Sequence, residues 1–485
     1  MMKTILIYSL LLVVFGFGIY VILQAGSQMT PAALLSNPSG DVVDAPATTQ
    51  THKQSGHATS KNLIANLAQP LSLLLLQIII ITLAARALGA LFSRMSQPAV
   101  IGEMLAGILL GPSLLGWLAP QANAFLFPSN SLGTLQLLSQ VGVILFMFVV
   151  GTELNIESLQ HRAHSAVLIS HVGILAPFIL GVGLALAIYQ LTAPTGIPFQ
   201  AFALFMGVAM SITAFPVLAR IIEQRGLTGS HLGNLVIACA ATDDVTAWCL
   251  LAVVLSIVES NGLAGSILTI GLAVAFTGVM LLLVRPTLRR MLEHTDPAAP
   301  RNKNLIVYIL ILVFVSALFT EAIGIHALFG AFLAGVALPP PKILRVPITE
   351  RLETFTAFLL PLFFAFTGLR TQIGLLNEGQ DLLLCLAIIT VAIAGKFGGA
   401  SIAARLTGLS WHESLSIGAL MNTRGLMELI VINIGYDLGI LSANMFTMMV
   451  IMALVTTIMT GPILSILKRW EKPQALEIAE SNVTV

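Results

Sequence analysis

The chain has 485 residues, of which 57% are apolar and only 9% charged, with a formal net charge of +1 and a mean hydropathy of +0.95. Soluble chains carry roughly 25% charged residues, so this deficit excludes a soluble enzyme, and a near-neutral chain offers no global attraction to nucleic acid. The composition is that of a polytopic membrane protein.

A membrane-crossing helix needs about 20 mainly apolar residues. The first such run, Ile5–Leu23, follows Lys3 and precedes Ala25-Gly26-Ser27. Residues 1–25 therefore read equally as a cleavable signal peptide or as an uncleaved signal-anchor helix. Residues 26–68, rich in Ser, Thr, Ala and Pro, read as an extracytoplasmic polar linker. Residues 69–470 form an almost continuous membrane domain. The expected fold is all-α, with about thirteen spans centred near Ile79, Leu109, Leu145, Ala176, Met210, Thr242, Val274, Val313, Phe332, Leu360, Ile393, Leu426 and Met452. Residues 471–485 are expected to be a short cytoplasmic tail. Cys239, Cys249 and Cys385 all lie inside apolar runs, as small packing residues do, and suggest neither disulfides nor a metal site.

Basic residues alternate from loop to loop. Arg94, Arg162, Arg220, Arg225, Arg285 to Lys303, Lys342, Arg345, Arg351, Arg405, Lys468, Arg469 and Lys472 all fall on one predicted side. The connections near Gln121, Pro194, Asn261, Gly324 and Gly439 carry no Lys or Arg, and Arg370 is the single exception between spans. The positive-inside rule makes the basic side cytoplasmic, together with the C-terminus. Six spans on either side of a linking span near Val274 permit two inverted repeats.

Ionisable groups inside spans cost at least ~2.5–3.5 kcal/mol each, so they carry the functional information. The strongest are Asp243 and Asp244, adjacent in mid-span between Ile237 and Trp248. Neighbouring residues on a helix point about 100° apart, so one salt bridge cannot hide both. Neither carboxylate can stay charged there uncompensated, so the pair would accept either a proton or a cation. Hard oxygen ligands suit an alkali cation. The alternative is a pair satisfied by neighbouring helices. Lys396, also mid-span, is the natural counter-ion for one Asp, whether as a permanent helix-holding pair or as a charge carrier.

Two spans look broken, at Ser211-Ile212-Thr213-Ala214-Phe215-Pro216 and at Met421-Asn422-Thr423-Arg424-Gly425. Pro216 lacks a backbone donor and Gly425 weakens a helix. The breaks occupy the fifth and twelfth spans, equivalent members of the two repeats, and paired interruptions mark a transporter site. Arg424 and Glu428, four residues apart, can pair as a structural or gating element. Glu103 falls near the cytoplasmic end of the second span, either in an access funnel or merely at the interface. His171 and His326 read as core histidines, with a proton-linked role as the alternative. Gly107 and Gly111 are spaced for close helix packing. His52 and His57 are weak evidence for a metal, and neither metal nor cofactor is expected.

These stretches resemble the monovalent cation:proton antiporter-2 family, especially its plant and fungal cation/proton exchanger branch. The resemblance rests on Gly102-Glu103-Met104-Leu105-Ala106-Gly107-Ile108-Leu109-Leu110-Gly111-Pro112, the run Ser211 to Arg220, Pro361-Leu362-Phe363-Phe364-Ala365, and the run Met421 to Val431. It implies a core bundle with two crossing broken helices, a scaffold bundle, an elevator-like motion and a homodimer. It further implies exchange of Na⁺ or K⁺ for H⁺. Asp244 would be the principal cation and proton ligand, Asp243 its partner, Thr213 the residue at the crossing, and Lys396 the base facing the aspartates. The branch usually has Asn where this chain has Asp243, and an Asp-Asp pair resembles the electrogenic antiporters.

The rival readings are a sodium-coupled symporter of an organic anion and an intramembrane enzyme. His412-Glu413 lacks the second His of a zinc protease, and no Gly-x-Gly-Asp occurs in a span, so no catalytic residues are expected. The compact loops point to a bacterial inner membrane.

Overall fold

A computed structural model describes residues 2–27, 29, 66–67, 69–95, 97–153, 163–227, 230–259, 263–293, 303–338 and 342–483. The polar linker lies almost wholly outside the described residues, as do His52 and His57. Backbone polar groups in a bilayer must be satisfied internally, which long apolar segments achieve as helices. The described residues contain helices and connections and no strand.

In chain order the main helices are α1 (Met2–Gly26), α2 (Pro70–Arg94), α3 (Ala99–Leu110), α4 (Ser129–Glu153), α5 (Ala163–Thr192), α6 (Phe199–Ser211), α7 (Phe215–Gln224) and α8 (His231–Glu259). They continue with α9 (Leu263–Val279), α10 (Lys303–Ala322), α11 (Ala327–Ala337), α12 (Lys342–Arg370), α13 (Gly379–Ile393), α14 (Gly399–Leu406), α15 (Trp411–Met421), α16 (Leu426–Asp437) and α17 (Ala443–Val483). Among the described residues ten helices can cross a membrane by length and hydropathy, or eleven if the bent pair α15 and α16, inclined at 43°, is one span. Thirteen crossings are not reached by that measure, because the fifth predicted span is split into α6 and α7 and α11 is short. Each predicted centre nevertheless falls within a helix.

The helices sort into two bundles with the same internal order in each half of the chain. First come α2, α3 and α4, then α5, α6 with α7, and α8. After the linking helix α9 come α10, α11 and α12, then α13 with α14, α15 with α16, and α17. The leading members of each half pack on one another as a scaffold, and the trailing members form a core bundle. In the scaffold, α3 meets α12 backbone to backbone at Gly107 and Gly368, where a Cβ on either would strike the other helix. Small residues allow such approach where lipid supplies no hydrophobic drive. Helix α1 lies along α5 and α6.

A cavity of about 320 Å³ opens between the bundles from the side that carries the basic loops, lined by Arg86, Glu103, Phe146, Glu353, Val217 and Leu426 among others. Val217 and Leu426 stand just past the two helix breaks, so this cavity reaches the middle of the molecule.

Candidate functional site

Helix α6 stops at Ser211 and α7 starts at Phe215, leaving Ile212 extended and Ala214 non-helical. Pro216 sits in the first turn of α7, where its missing N–H is no loss. The break precedes the proline, which seeds the second half-helix rather than kinking a continuous one. The partner break runs from Asn422 to Gly425. The two cross: the Ala214 N–H donates to the Thr423 carbonyl at 3.1 Å, and Thr213 Oγ1 lies 3.3 Å from the Met421 carbonyl oxygen. Gly425 has extended φ, so its need is space; a Cβ there would lie 2.7 Å from Val217 Cγ2 and 3.3 Å from Ala214 Cβ.

The half-helix ends are charge-matched. At its C-terminus α6 presents carbonyls with partial negative charge. Two buried cations from the second half of the chain meet them: Arg424 donates to the Ala209 and Met210 carbonyls at 3.0 and 2.6 Å, and Lys396 Nζ to that of Ser211 at 2.5 Å. Lys396 rides on a π-helical turn, Ala394–Gly398, joining α13 to α14, and such turns recur at functional sites. The turn packs against Pro177 of α5, whose Cα would lie 2.6 Å from a Cβ on Gly395.

Asp243 stands beside this crossing, on α8. Its Oδ2 accepts from Lys396 Nζ at 2.8 Å and from Thr213 Oγ1 at 2.7 Å, and its Oδ1 accepts from Ser170 of α5. All four side chains are buried. Asp244 is buried as well, about 100° further round the helix. Arg424 and Glu428 form a second wholly buried ion pair, at 2.5 Å. Thus Asp243, Thr213 and Lys396 are in direct contact, Asp244 adjoins them, and Arg424 ties the crossing together. Glu103 lines the cavity from the basic side. His326 stands apart and caps α11, while His171 Nδ1 lies 2.8 Å from its own helix at the Val167 carbonyl oxygen. No group of His, Cys, Asp and Glu able to hold a metal occurs among the described residues.

Ser170 belongs to a polar pair, Ser170-His171, within an apolar helix. That pair is its signal in the sequence, and the serine rather than the histidine makes the contact.

Residues 78–470 match the sodium/hydrogen exchanger, transmembrane, family. The chain belongs to the sodium/hydrogen exchanger family. It is 44% identical over 395 residues to the Na(+)/H(+) antiporter NhaS4 of Synechocystis, covering 81% of this chain and 96% of that one. It is 38% identical to cation/H(+) antiporter 17 of Arabidopsis thaliana and 36% identical to K(+)/H(+) antiporter 1 of Saccharomyces cerevisiae. These matches cover 82% of this chain but 48% and 46% of theirs. This exchanger-family chain thus spans about half the length of its plant and yeast relatives. The sodium proton antiporter MjNhaP1 of Methanocaldococcus jannaschii has the same fold, with a TM-score of 0.61 over 83% of this chain and 98% of that one, at 16% identity. An exchanger family is one of transporters, and these relatives are named antiporters; the symporter reading finds no support among them.

Proposed function

We propose that the protein is a secondary transporter that exchanges a monovalent cation, Na⁺ or K⁺, for protons by alternating access. The observation that carries this reading is the position of Asp243. It lies at the crossing of two broken helices, held by Lys396 and Thr213, with Asp244 beside it and a cavity that reaches the crossing from one side.

Lys396 offsets one negative charge of the adjacent acids, and a proton or a cation taken up at Asp244 changes the charge of the buried cluster by the same amount, so the two can compete. In the proposed cycle, deprotonated Asp244, with Asp243 and the oxygens near Thr213, binds a dehydrated cation, and protonation expels it. Only a charge-compensated core crosses the barrier, which couples the two fluxes. Arg424 and Glu428 hold the crossing rigid, and Glu103 lines the access funnel.

Loss of the Lys396 proton on cation binding would move more than one proton per cation. Exchange in proteoliposomes that responds to an imposed membrane potential is then expected, and indifference to potential excludes that version. The relatives include both Na(+)/H(+) and K(+)/H(+) antiporters.

The same proposal takes the basic side as cytoplasmic, with the C-terminus, in a bacterial inner membrane, and the assembly as a homodimer. Residues 1–25 serve as a signal peptide or anchor, 26–68 as an extracytoplasmic linker, 69–470 as the exchanger domain, and 471–485 as a cytoplasmic tail.

The test is dequenching of a pH dye in everted vesicles on addition of Na⁺, K⁺ or Li⁺. The native protein should give cation-dependent proton flux and Asp244→Asn should abolish it. Normal flux in Asp244→Asn defeats the assignment.

A further inference from the structure

Arg370 is the one basic residue that breaks the alternation of charge, and it closes α12 on the face opposite the basic loops. Its side chain is only 17% exposed. Arg370 Nη1 lies 2.7 Å from Asp437 Oδ1 at the end of α16 and donates to Asn433 Oδ1 at 3.2 Å. Nη2 donates to Gln136 Oε1 of α4 at 3.2 Å, and Gln136 Nε2 donates in turn to Asp437 Oδ2 at 3.1 Å. The guanidinium also covers the rings of Phe366 and Tyr436, 4.3 and 5.4 Å from their centroids. One turn deeper, Asn433 Nδ2 donates to Thr367 Oγ1 at 2.8 Å.

Arg370, Gln136, Phe366 and Thr367 belong to the scaffold; Asp437, Asn433 and Tyr436 belong to the core bundle. This network therefore stitches the bundles together on the face opposite the basic loops, whereas on the basic face Gln97 Nε2 makes a long contact, 3.4 Å, with the Ile458 carbonyl of α17. On the basic face the bundles part around the cavity that reaches Val217 and Leu426. On the opposite face a second cavity, lined by Gln136, Leu255, Glu321, His326, Ile434 and Asp437 among others, contains no residue of the crossing. The structure is thus open to the basic side and shut on the other.

We propose that Arg370 and Asp437, with Gln136 and Asn433, form the outer gate of the exchanger: a latch made only while the site faces the basic side. This rests on the alternating-access reading above. Any displacement of the core bundle that opens the far side must separate α16 from α12 and α4. Contacts of 2.7–3.2 Å do not survive such a separation. The latch therefore lowers the free energy of one state alone, and interactions of that kind shift populations. Its release also frees the Asp437 carboxylate beside Glu321 at the outer mouth, through which the exchanged ions pass.

The test uses thiol accessibility, which needs no transport, so failure of the gate is distinguishable from failure of the exchange reading. Cys239, Cys249 and Cys385 are replaced by Ala in the full chain, and single cysteines are placed at Val217→Cys, on the inner cavity, or at Leu255→Cys, on the outer one. Adding Arg370→Ala should speed labelling of the second by an impermeant maleimide in right-side-out vesicles, by roughly threefold to tenfold for a partly exposed network. It should slow labelling of the first in everted vesicles by a smaller factor, because the favoured state loses only the population that the other gains. The charge swap Arg370→Asp with Asp437→Arg should restore both rates toward the parent's. Unchanged rates in folded protein overturn the gate; so does acceleration at both positions, which marks loosening rather than a change of facing.

Discussion

Asp243 and Asp244 are adjacent in sequence yet have different surroundings. Asp243 receives hydrogen bonds from α5, from the break between α6 and α7, and from the π-helical turn that carries Lys396. Lys396→Ala would leave that carboxylate buried without its cation, a loss of about 3–5 kcal/mol for a broken buried pair. The expected result is a large drop in the thermal stability of the purified protein, and Asp243→Asn in the same background should recover part of it. Ser170→Ala removes a donor to a charged group, worth about 1.5–3 kcal/mol. It should weaken cation-dependent proton flux while Ser170→Thr, which keeps the hydroxyl, retains more. Flux equal to the native protein's in Ser170→Ala would mean that the contact is dispensable. The acids and Lys396 stood out in the sequence because charge in a span is costly. Ser170 did not, because a serine in an apolar helix commonly bonds its own backbone, and only the fold shows which carboxylate it faces.

Between the residues and the bundles lie the broken helices. Their location was legible: Pro216 and the run Asn422 to Gly425 mark both, in equivalent spans. What the sequence left out is how the ends are satisfied, since the carbonyls of Ala209, Met210 and Ser211 carry no side-chain signal. They are met by Arg424 and Lys396, more than 180 residues away. Arg424 therefore does more than pair with Glu428. Arg424→Met should destabilise the protein further than Glu428→Gln, because it orphans two carbonyls as well as a carboxylate; thermal unfolding in detergent reads the difference, and equal loss would contradict this division of roles. Gly425 offers a steric test. Gly425→Val drives a branched side chain into Val217 and Ala214 at the crossing. Exchange should fall well below that of Gly425→Ala, for which the Val217 side chain must shift and Ala214 give by a few tenths of an ångström.

At the scale of the molecule, hydropathy located the spans because the bilayer imposes both length and composition. It could not fix how many cross completely: α11 is a short helix buried among its neighbours, and the fifth span is two short ones. The division into scaffold and core was available only through the resemblance, since apolar faces that meet helices and faces that meet lipid have the same composition. Arg370 registered in the sequence as an exception to a charge rule; the fold explains it as part of a contact between bundles. The buried acids at the crossing are proposed to take up either a proton or an alkali cation. Proton release from purified protein in weak buffer, on addition of NaCl or KCl against choline chloride, measures that competition directly. The native protein should release protons and Asp243→Asn with Asp244→Asn none, whereas saturable cation binding with no proton released would contradict competition at these acids.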